Sequence, residues 1–246
     1  MARFLLFCAF FLATACGPAP SPPPTPTAPP ELATDPALQP LVTGWLQQYS
    51  AERGILPFDL VIQAPRQDSG ALLVIEAAPP DGPFSAALGR EGVAVIVNSS
   101  VTQRDFTLAD LKSIFTGRVD QWESLGSGTG KIQPVVPLSG DPVRNAFESQ
   151  VMQGYPFDSR SRLAPSPQEA IDIVNSIPGA IGLLPFAAVE NGMRVVRVEG
   201  QLPDLAGIRT QAYPLTFAVV GSAPSTPPSA IYDFLTWLQA KVLPPA

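Results

Sequence analysis

The chain has 246 residues, 46% of them hydrophobic, with 15 Lys and Arg against 21 Asp and Glu for a net charge of −6, no histidine and two cysteines. Cations this sparse and unclustered exclude a charge-driven nucleic-acid binder. The lack of histidine removes Ser-His and Cys-His catalysis and most zinc sites, so the expectation is a protein that is not an enzyme and carries no cofactor.

Met1, Ala2 and Arg3 precede an apolar run from Phe4 to Ala13 and the small residues Thr14 and Ala15, the layout of a signal peptide over residues 1–15. The run is too short to cross a bilayer. Cys16 follows the small residues directly, which resembles the bacterial lipobox. That resemblance implies acylation of Cys16 as the first mature residue and lasting anchorage to the membrane; the alternative is an ordinary signal peptide that contains a cysteine. Cys8 leaves with the apolar run, so the mature chain holds no internal disulfide and relies on its core. Loss of Arg3 takes the net charge from −6 to −7. Residues 16–30 are then a tether whose prolines favour extended backbone of roughly 3 Å per residue.

The rest of the chain, beyond residue 30, is long enough for one to two domains with a real core. Asp35-Pro36 reads as an N-cap and first-turn proline, and Leu38, Leu41, Val42, Trp45, Leu46 and Tyr49 recur at helical spacing, predicting a helix over about 36–51. Strands are predicted over 57–65, 71–78 and 92–98 from β-branched or continuous apolar runs. Thr107 and Asp110 form a capping box for a helix with the stripe Leu108, Leu111, Ile114 and Phe115, which Gly117 ends. Trp122 follows in the connector, as a packing residue or a ligand-stacking one.

A strand over 132–138 leads to Asp141-Pro142, a second Asp cap with first-turn proline, and a helix carrying Val143, Ala146, Phe147 and Val151. Ser166 caps a further helix that ends at Ile177-Pro178-Gly179. Strands follow over 180–186, 193–198 and 213–221, and the helix 228–242 closes the chain with Ile231, Phe234, Leu235, Leu238 and Val242. Strands alternating with helices argue an α/β fold with a largely parallel sheet. No internal repeat is visible. Gly126 to Lys131 lacks the P-loop spacing, and a strand rather than a helix comes next, so it is a turn.

The segments GVAVIVN (92–98), LADLKSIFTGRVDQW (108–122), IQPVVPLSG (132–140), VRNAFE (143–148), NSIPGAIGLLPF (175–186) and YPLTFAVV (213–220) together resemble, in order, the PstS-type phosphate-binding proteins of ABC importers. The resemblance implies a type II periplasmic-binding-protein fold. Two α/β lobes, one from 31–93 plus about 215–246 and the other from about 94–214, would flank a cleft and be joined by two crossing hinge strands. It also implies an extracytoplasmic, lipid-anchored monomer with a small oxyanion, most simply phosphate, as ligand and an ABC permease as partner. Trp122 is then a packing residue of the second lobe.

Carried onto this chain, the resemblance implies a ligand site of Thr34, Asp35, Ala37 and Leu38 from one lobe and Ser139, Gly140, Asp141 and Arg144 from the other. Two features depart from the family pattern. Asp141, Pro142 and Val143 stand where the family has Ser-Gly-Thr, and Pro137 stands in place of its Arg, unless a register shift brings in Ser139 and Gly140, with Arg144 reaching in from the first turn. Ala77 stands in place of the proton-accepting Asp, unless Glu76 substitutes. Asp35 and Asp141 are either helix N-caps or a pair of inward carboxylates that oppose an anion and select a neutral, cationic or protonated ligand. A paired-carboxylate hydrolase is the weaker alternative. A degenerate cleft used for sensing or protein interaction is the other.

Overall fold

The computed structural model describes residues 30–54, 58–62, 71, 73–77, 84–126, 128–223, 226 and 228–242. The signal peptide, Cys16, the tether before Pro30, Ser127, Ala78 and Pro79 lie outside them.

Strand β1 (Glu31–Thr34) emerges directly from the proline-rich segment and is followed by a 3-10 turn, Pro36–Leu38, and helix α1 (Gln39–Arg53). The predicted helix therefore begins three residues later than the Asp35-Pro36 signal suggests. Asp35 makes no side-chain cap; a second proline, Pro40, opens α1, and Gly54 at φ 77° closes it. Strands β2 (Asp59–Ile62) and β3 (Leu73–Glu76) come next, then β4 (Ser85–Val97), seven residues longer at its start than the apolar run predicted. The extra length was hidden because Gly89, Arg90, Glu91 and Gly92 interrupt the hydrophobic pattern while sheet pairing continues through them.

After β5 (Asp105–Phe106), helix α2 (Leu108–Phe115) carries the predicted capping box: Asp110 N donates to Thr107 Oγ1 at 3.1 Å and Thr107 N to Asp110 Oδ2 at 2.9 Å. β6 (Gln133–Pro137) leads into α3 (Pro142–Phe147), which widens into a π turn over Glu148–Met152. β7 (Arg162–Ala164), α4 (Pro167–Ser176), β8 (Ala180–Pro185) and a 3-10 turn (Phe186–Ala188) follow. The strand expected over 193–198 shrinks to a bridge at Val195 and β9 (Arg197–Val198), and a short helix α5 (Leu205–Thr210), capped by Asp204, had no signal of its own. β10 (Thr216–Ser222) and α6 (Ser229–Val242) complete the chain.

The main sheet runs β2-β1-β3-β10-β4-β8-β6-β7. It is mixed rather than largely parallel: both ends are parallel, while β10 lies antiparallel to β3 and β4, and β4 antiparallel to β8. β4 divides the molecule. Its first half pairs with β10 up to Gly92, and from Val93 to Val97 it pairs with β8 instead. The handover carries the chain from one α/β lobe to the other. Next to it, the register shifts opposite Val219 and Val220, so that Leu88 is the unpaired residue of a bulge beside Gly89 at φ 143°.

Aromatic packing seats α1 and α6 on the first lobe. Tyr49 meets Phe234 and Trp237 edge-on at 5.3 and 5.2 Å, and Phe58 meets Phe234 at 5.3 Å. In the second lobe Phe115 and Phe147 pack at 4.8 Å, while Ala170, Ile171 and Val174 of α4 lie on Ile96, Val135 and Leu184. Each such side chain, once fully buried, contributes about 1.5–3 kcal/mol. Trp122 is 1% exposed, packs on Phe106 at 5.9 Å and donates Nε1–H to Gly179 O at 3.1 Å. It is a scaffold residue and does not face the cleft ligand space.

Candidate functional site

The C-terminal ends of β1, β6 and β8 lead into the turns that begin at Asp35, Leu138 and Phe186, and β3 ends at Glu76. Between the lobes a cavity of about 490 Å³ has Pro36, Gln39 and Gln47 on one wall and Ser166, Gln168 and Glu190 on the other; none of Thr34, Asp35, Ala37, Leu38, Ser139, Gly140, Asp141 and Arg144 is in its lining. Its lining among the described residues includes amides, hydroxyls and one carboxylate, with no Lys or Arg. Ser166 and Gln168 join it because they open α4, whose capped N-terminus the sequence located without hinting that it bordered a cavity.

The residues implied from the first lobe divide by role. Thr34 is fully buried and its Oγ1 donates to Ile75 O at 3.0 Å, so its hydroxyl serves the sheet. Ala37 and Leu38 are buried at 1% and 0% exposure inside the 3-10 turn and belong to the core. Asp35 is only half-buried. Its backbone carbonyl accepts from Leu38 N at 3.0 Å, but its carboxylate caps nothing, which corrects the N-cap expectation. Burial first, then the charges of Asp141 and Glu76, raise its pKa to about 6. Glu76 is close enough for its charge to act on Asp35, although adjacent residues of a strand point to opposite faces, so Glu76 and Ala77 do not share an orientation.

From the second lobe, Ser139 and Gly140 form an exposed turn, with Gly140 at φ 88° and its carbonyl accepting from Asn145 Nδ2 at 3.2 Å. Asp141 is the N-cap expected of it: Oδ1 accepts from Val143 N at 2.8 Å and from Arg144 N at 3.4 Å. Burial raises its pKa, against the pull of those two N–H groups and the Arg144 charge. The carboxylate thus holds the donors that an incoming oxyanion would use. Beneath it, the space enclosed by Pro137, Asp141, Ser166 and Leu183 is only about 10 Å³, roughly one water.

The structure does not bring Arg144 into the cleft. Its Nε pairs with Glu148 Oε1 at 2.8 Å, its Nη1 donates to Pro137 O at 3.2 Å, and the guanidinium lies over the Phe157 ring at 4.8 Å. The expectation that Arg144 reaches an anion from the first turn is corrected accordingly. The i,i+4 spacing to Glu148 was the available sign of it. Among the described residues no group of three or more His, Cys, Asp and Glu is arranged to hold a metal ion.

Two α/β lobes joined by exchanged strands around such a cleft define the type II periplasmic-binding-protein class. The chain belongs to the PBP superfamily: the family described as "PBP superfamily domain" matches residues 66–241. It is 26% identical over 196 residues to the phosphate-binding protein PstS of Bacillus subtilis (strain 168), over 73% of this chain and 64% of that protein, so it spans somewhat less than two thirds of that relative's length. Among solved structures, a putative phosphate ABC transporter substrate-binding protein with bound phosphate from Clostridium perfringens superposes with TM-score 0.76 at 15% identity, over 86% of this chain and 93% of the other. An ABC-type phosphate transport receptor from Vibrio cholerae gives 0.64 at 16% identity, over 86% and 94%. These likenesses establish the fold.

Proposed function

We propose that this protein is an extracytoplasmic solute-binding protein of PstS type, which takes phosphate or a related oxyanion into the cleft between its lobes and presents it to an ABC permease. The observation that carries the reading is the two-lobed fold closing on a cleft at the strand ends, in a chain whose relative in Bacillus subtilis is a phosphate-binding protein. We assign one lobe to 31–93 plus about 215–246 and the other to about 94–214, with Thr34, Asp35, Ala37, Leu38, Ser139, Gly140, Asp141 and Arg144 as the segments around the ligand. Within that set Thr34, Ala37, Leu38 and Arg144 act through the scaffold. Residues 1–15 are the signal peptide, Cys16 carries the lipid that holds the protein at the membrane, and the tether to residue 30 sets the domain off the surface. The protein works as a monomer, by binding rather than catalysis, and without a cofactor. No helix among the described residues is long and apolar enough to cross a membrane.

A second reading is favoured by one specific observation, that the charges of Asp141 and Glu76 act on the half-buried Asp35 and so add negative potential at the strand ends. On that reading the cleft takes a non-phosphate ligand or serves sensing or protein interaction. Calorimetric titration of phosphate, with sulfate and molybdate as controls, into the detergent-solubilised full chain separates the two. A Kd at or below micromolar, about −8 kcal/mol, supports oxyanion capture, and no heat at millimolar phosphate gives the cleft to the second reading.

A further inference from the structure

Helix α1 turns one polar face to the interlobe cavity. Gln39, Thr43 and Gln47 follow one another at i,i+4 spacing, so their side chains line up along that face. Opposite them the second lobe supplies Ser166 and Gln168 from the cap and first turn of α4, and Glu190 from beyond the Phe186–Ala188 turn. Among the described residues the side chains of Gln39, Thr43, Gln47 and Glu190 have no hydrogen-bond or ion-pair partner. Ser166 Oγ accepts from Glu169 N at 3.3 Å and Gln168 Nε2 donates to Asp172 Oδ1 at 3.1 Å. Ser166 therefore keeps its O–H to donate, and Gln168 keeps its carbonyl oxygen to accept.

Gly44 lies on the same wall, in the interior of α1, where glycine weakens a helix relative to alanine. No neighbour requires it, since a Cβ at this position meets nothing within 4 Å. A glycine that weakens the helix and relieves no clash leaves open the space its side chain would take, and that space belongs to the cavity. Pro40 at the start of α1 and Pro167 at the start of α4 stiffen the two walls, so little ordering remains for an occupant to impose.

The groups on the wall decide what fits. No Lys or Arg is among them to meet an oxyanion, and the one carboxylate, Glu190, is exposed at the rim, where solvent screens its charge. Hydroxyl groups both donate and accept, as carboxamides do, and a carboxylate oxygen pair accepts from two of them. The volume of about 490 Å³ lies in the range of small-molecule sites.

We propose that the cavity between α1 and α4 is a binding site for a neutral polyhydroxylated molecule of sugar size, held by Gln39, Thr43 and Gln47 from one lobe and Ser166 and Gln168 from the other, with Gly44 leaving room for it. It adjoins the strand ends but shares no residue with the set assigned to the oxyanion, so it stands whichever ligand the strand ends take. Its walls belong to different lobes. An occupant bridges them and favours the closed arrangement.

The test is calorimetric titration of glucose, maltose, trehalose and myo-inositol into the full chain, kept in a detergent without a sugar headgroup, for wild type, Gly44→Leu and Gln47→Ala. Leucine at position 44 enters open space and suits a helix better than glycine, so the variant should melt no lower than wild type while its side chain fills the cavity. At least one of the four compounds is expected to bind at millimolar Kd or tighter, with affinity reduced at least tenfold by Gly44→Leu and severalfold by Gln47→Ala. Phosphate titrated into the same proteins should give one result in all three, binding or none, which keeps this site apart from the oxyanion reading. No binding of any of the four at tens of millimolar overturns the proposal. So does sugar affinity that either variant leaves unchanged, with Gln47→Ala, an exposed position, deciding if Gly44→Leu melts below wild type. A phosphate affinity that falls together with the sugar affinity in Gly44→Leu would reveal one site in place of two and overturns it as well.

Discussion

Asp35 and Asp141 stand on opposite lobes of the cleft, and after burial it is the charge of Asp141 that contributes most to raising the Asp35 carboxyl to about 6. Above that pH Asp35 adds a negative charge beside any bound anion. Sulfate, whose charge is constant in this range, is expected to bind about tenfold more tightly at pH 5 than at pH 7.5, roughly 1.4 kcal/mol. In Asp35→Asn the slope should vanish, with affinity at the higher pH raised to the wild-type low-pH level. Calorimetry of both proteins across the range checks it, and a pH slope that persists in Asp35→Asn would place the titrating group elsewhere.

Gly179 is held from three directions and has no space for a side chain. Its N–H donates to Ser100 Oγ at 3.0 Å, its carbonyl accepts from Trp122 Nε1 at 3.1 Å and Gln133 N at 3.2 Å, and at φ 78° an added Cβ would run into Lys131 O. Gly179→Ala should lower stability by about 2–3 kcal/mol from strain in the left-handed region and the contact. Trp122→Phe loses a hydrogen bond worth about 1 kcal/mol plus part of its packing, because the carbonyl keeps Gln133. Urea denaturation monitored by circular dichroism measures both, and equal, negligible effects would show that this contact does not hold the lobe.

Thr34 tests whether the residues implied from the first lobe act on ligand directly. Thr34→Val removes the hydroxyl that bonds Ile75 O in the sheet and should cost about 1–3 kcal/mol of stability. Ligand affinity measured on the folded fraction should be unchanged. A tenfold loss of affinity with unchanged stability would return the hydroxyl to the ligand site.

The buried carboxyl of Glu91 also shapes stability against pH. Burial raises its pKa on folding from the ordinary glutamate value of 4.5 to about 7, so between those values the native state binds the extra proton. Stability contributed by this group is full below about 4.5, falls as pH rises through the window and levels off above 7, by up to about 3 kcal/mol. Glu91→Gln, permanently neutral, should flatten that part of the curve and be the more stable protein at pH 8. Thermal melts of both proteins between pH 4.5 and 8 decide it, and parallel curves would contradict it.

Much of the scaffold was legible because its causes are local. The Thr107–Asp110 box, the Ser166 cap, Gly117 at a helix end and the stripes of α1, α2 and α6 all arise from residues a few positions apart. Sequence reasoning lost β1 in the shadow of the prolines, the first half of β4 behind Gly89 to Gly92, and α5 for its brevity. In each case pairing or capping partners elsewhere stabilise a segment whose own pattern is weak.

The sequence by itself determined the α/β class and the order of its main elements, since spacing, capping and hydrophobic period act within a few residues, while the two lobes and the packing place of Trp122 came from the family resemblance. Only the tertiary structure decided that Asp35 caps nothing, that the charge of Asp141 acts on it, that Thr34 spends its hydroxyl on the sheet and that Arg144 is drawn to Glu148 and Pro137. The direction of a polar side chain is settled by which donors, acceptors and charges the fold brings within reach. Asp35 and Asp141 meet only because strands distant in sequence end at one cleft.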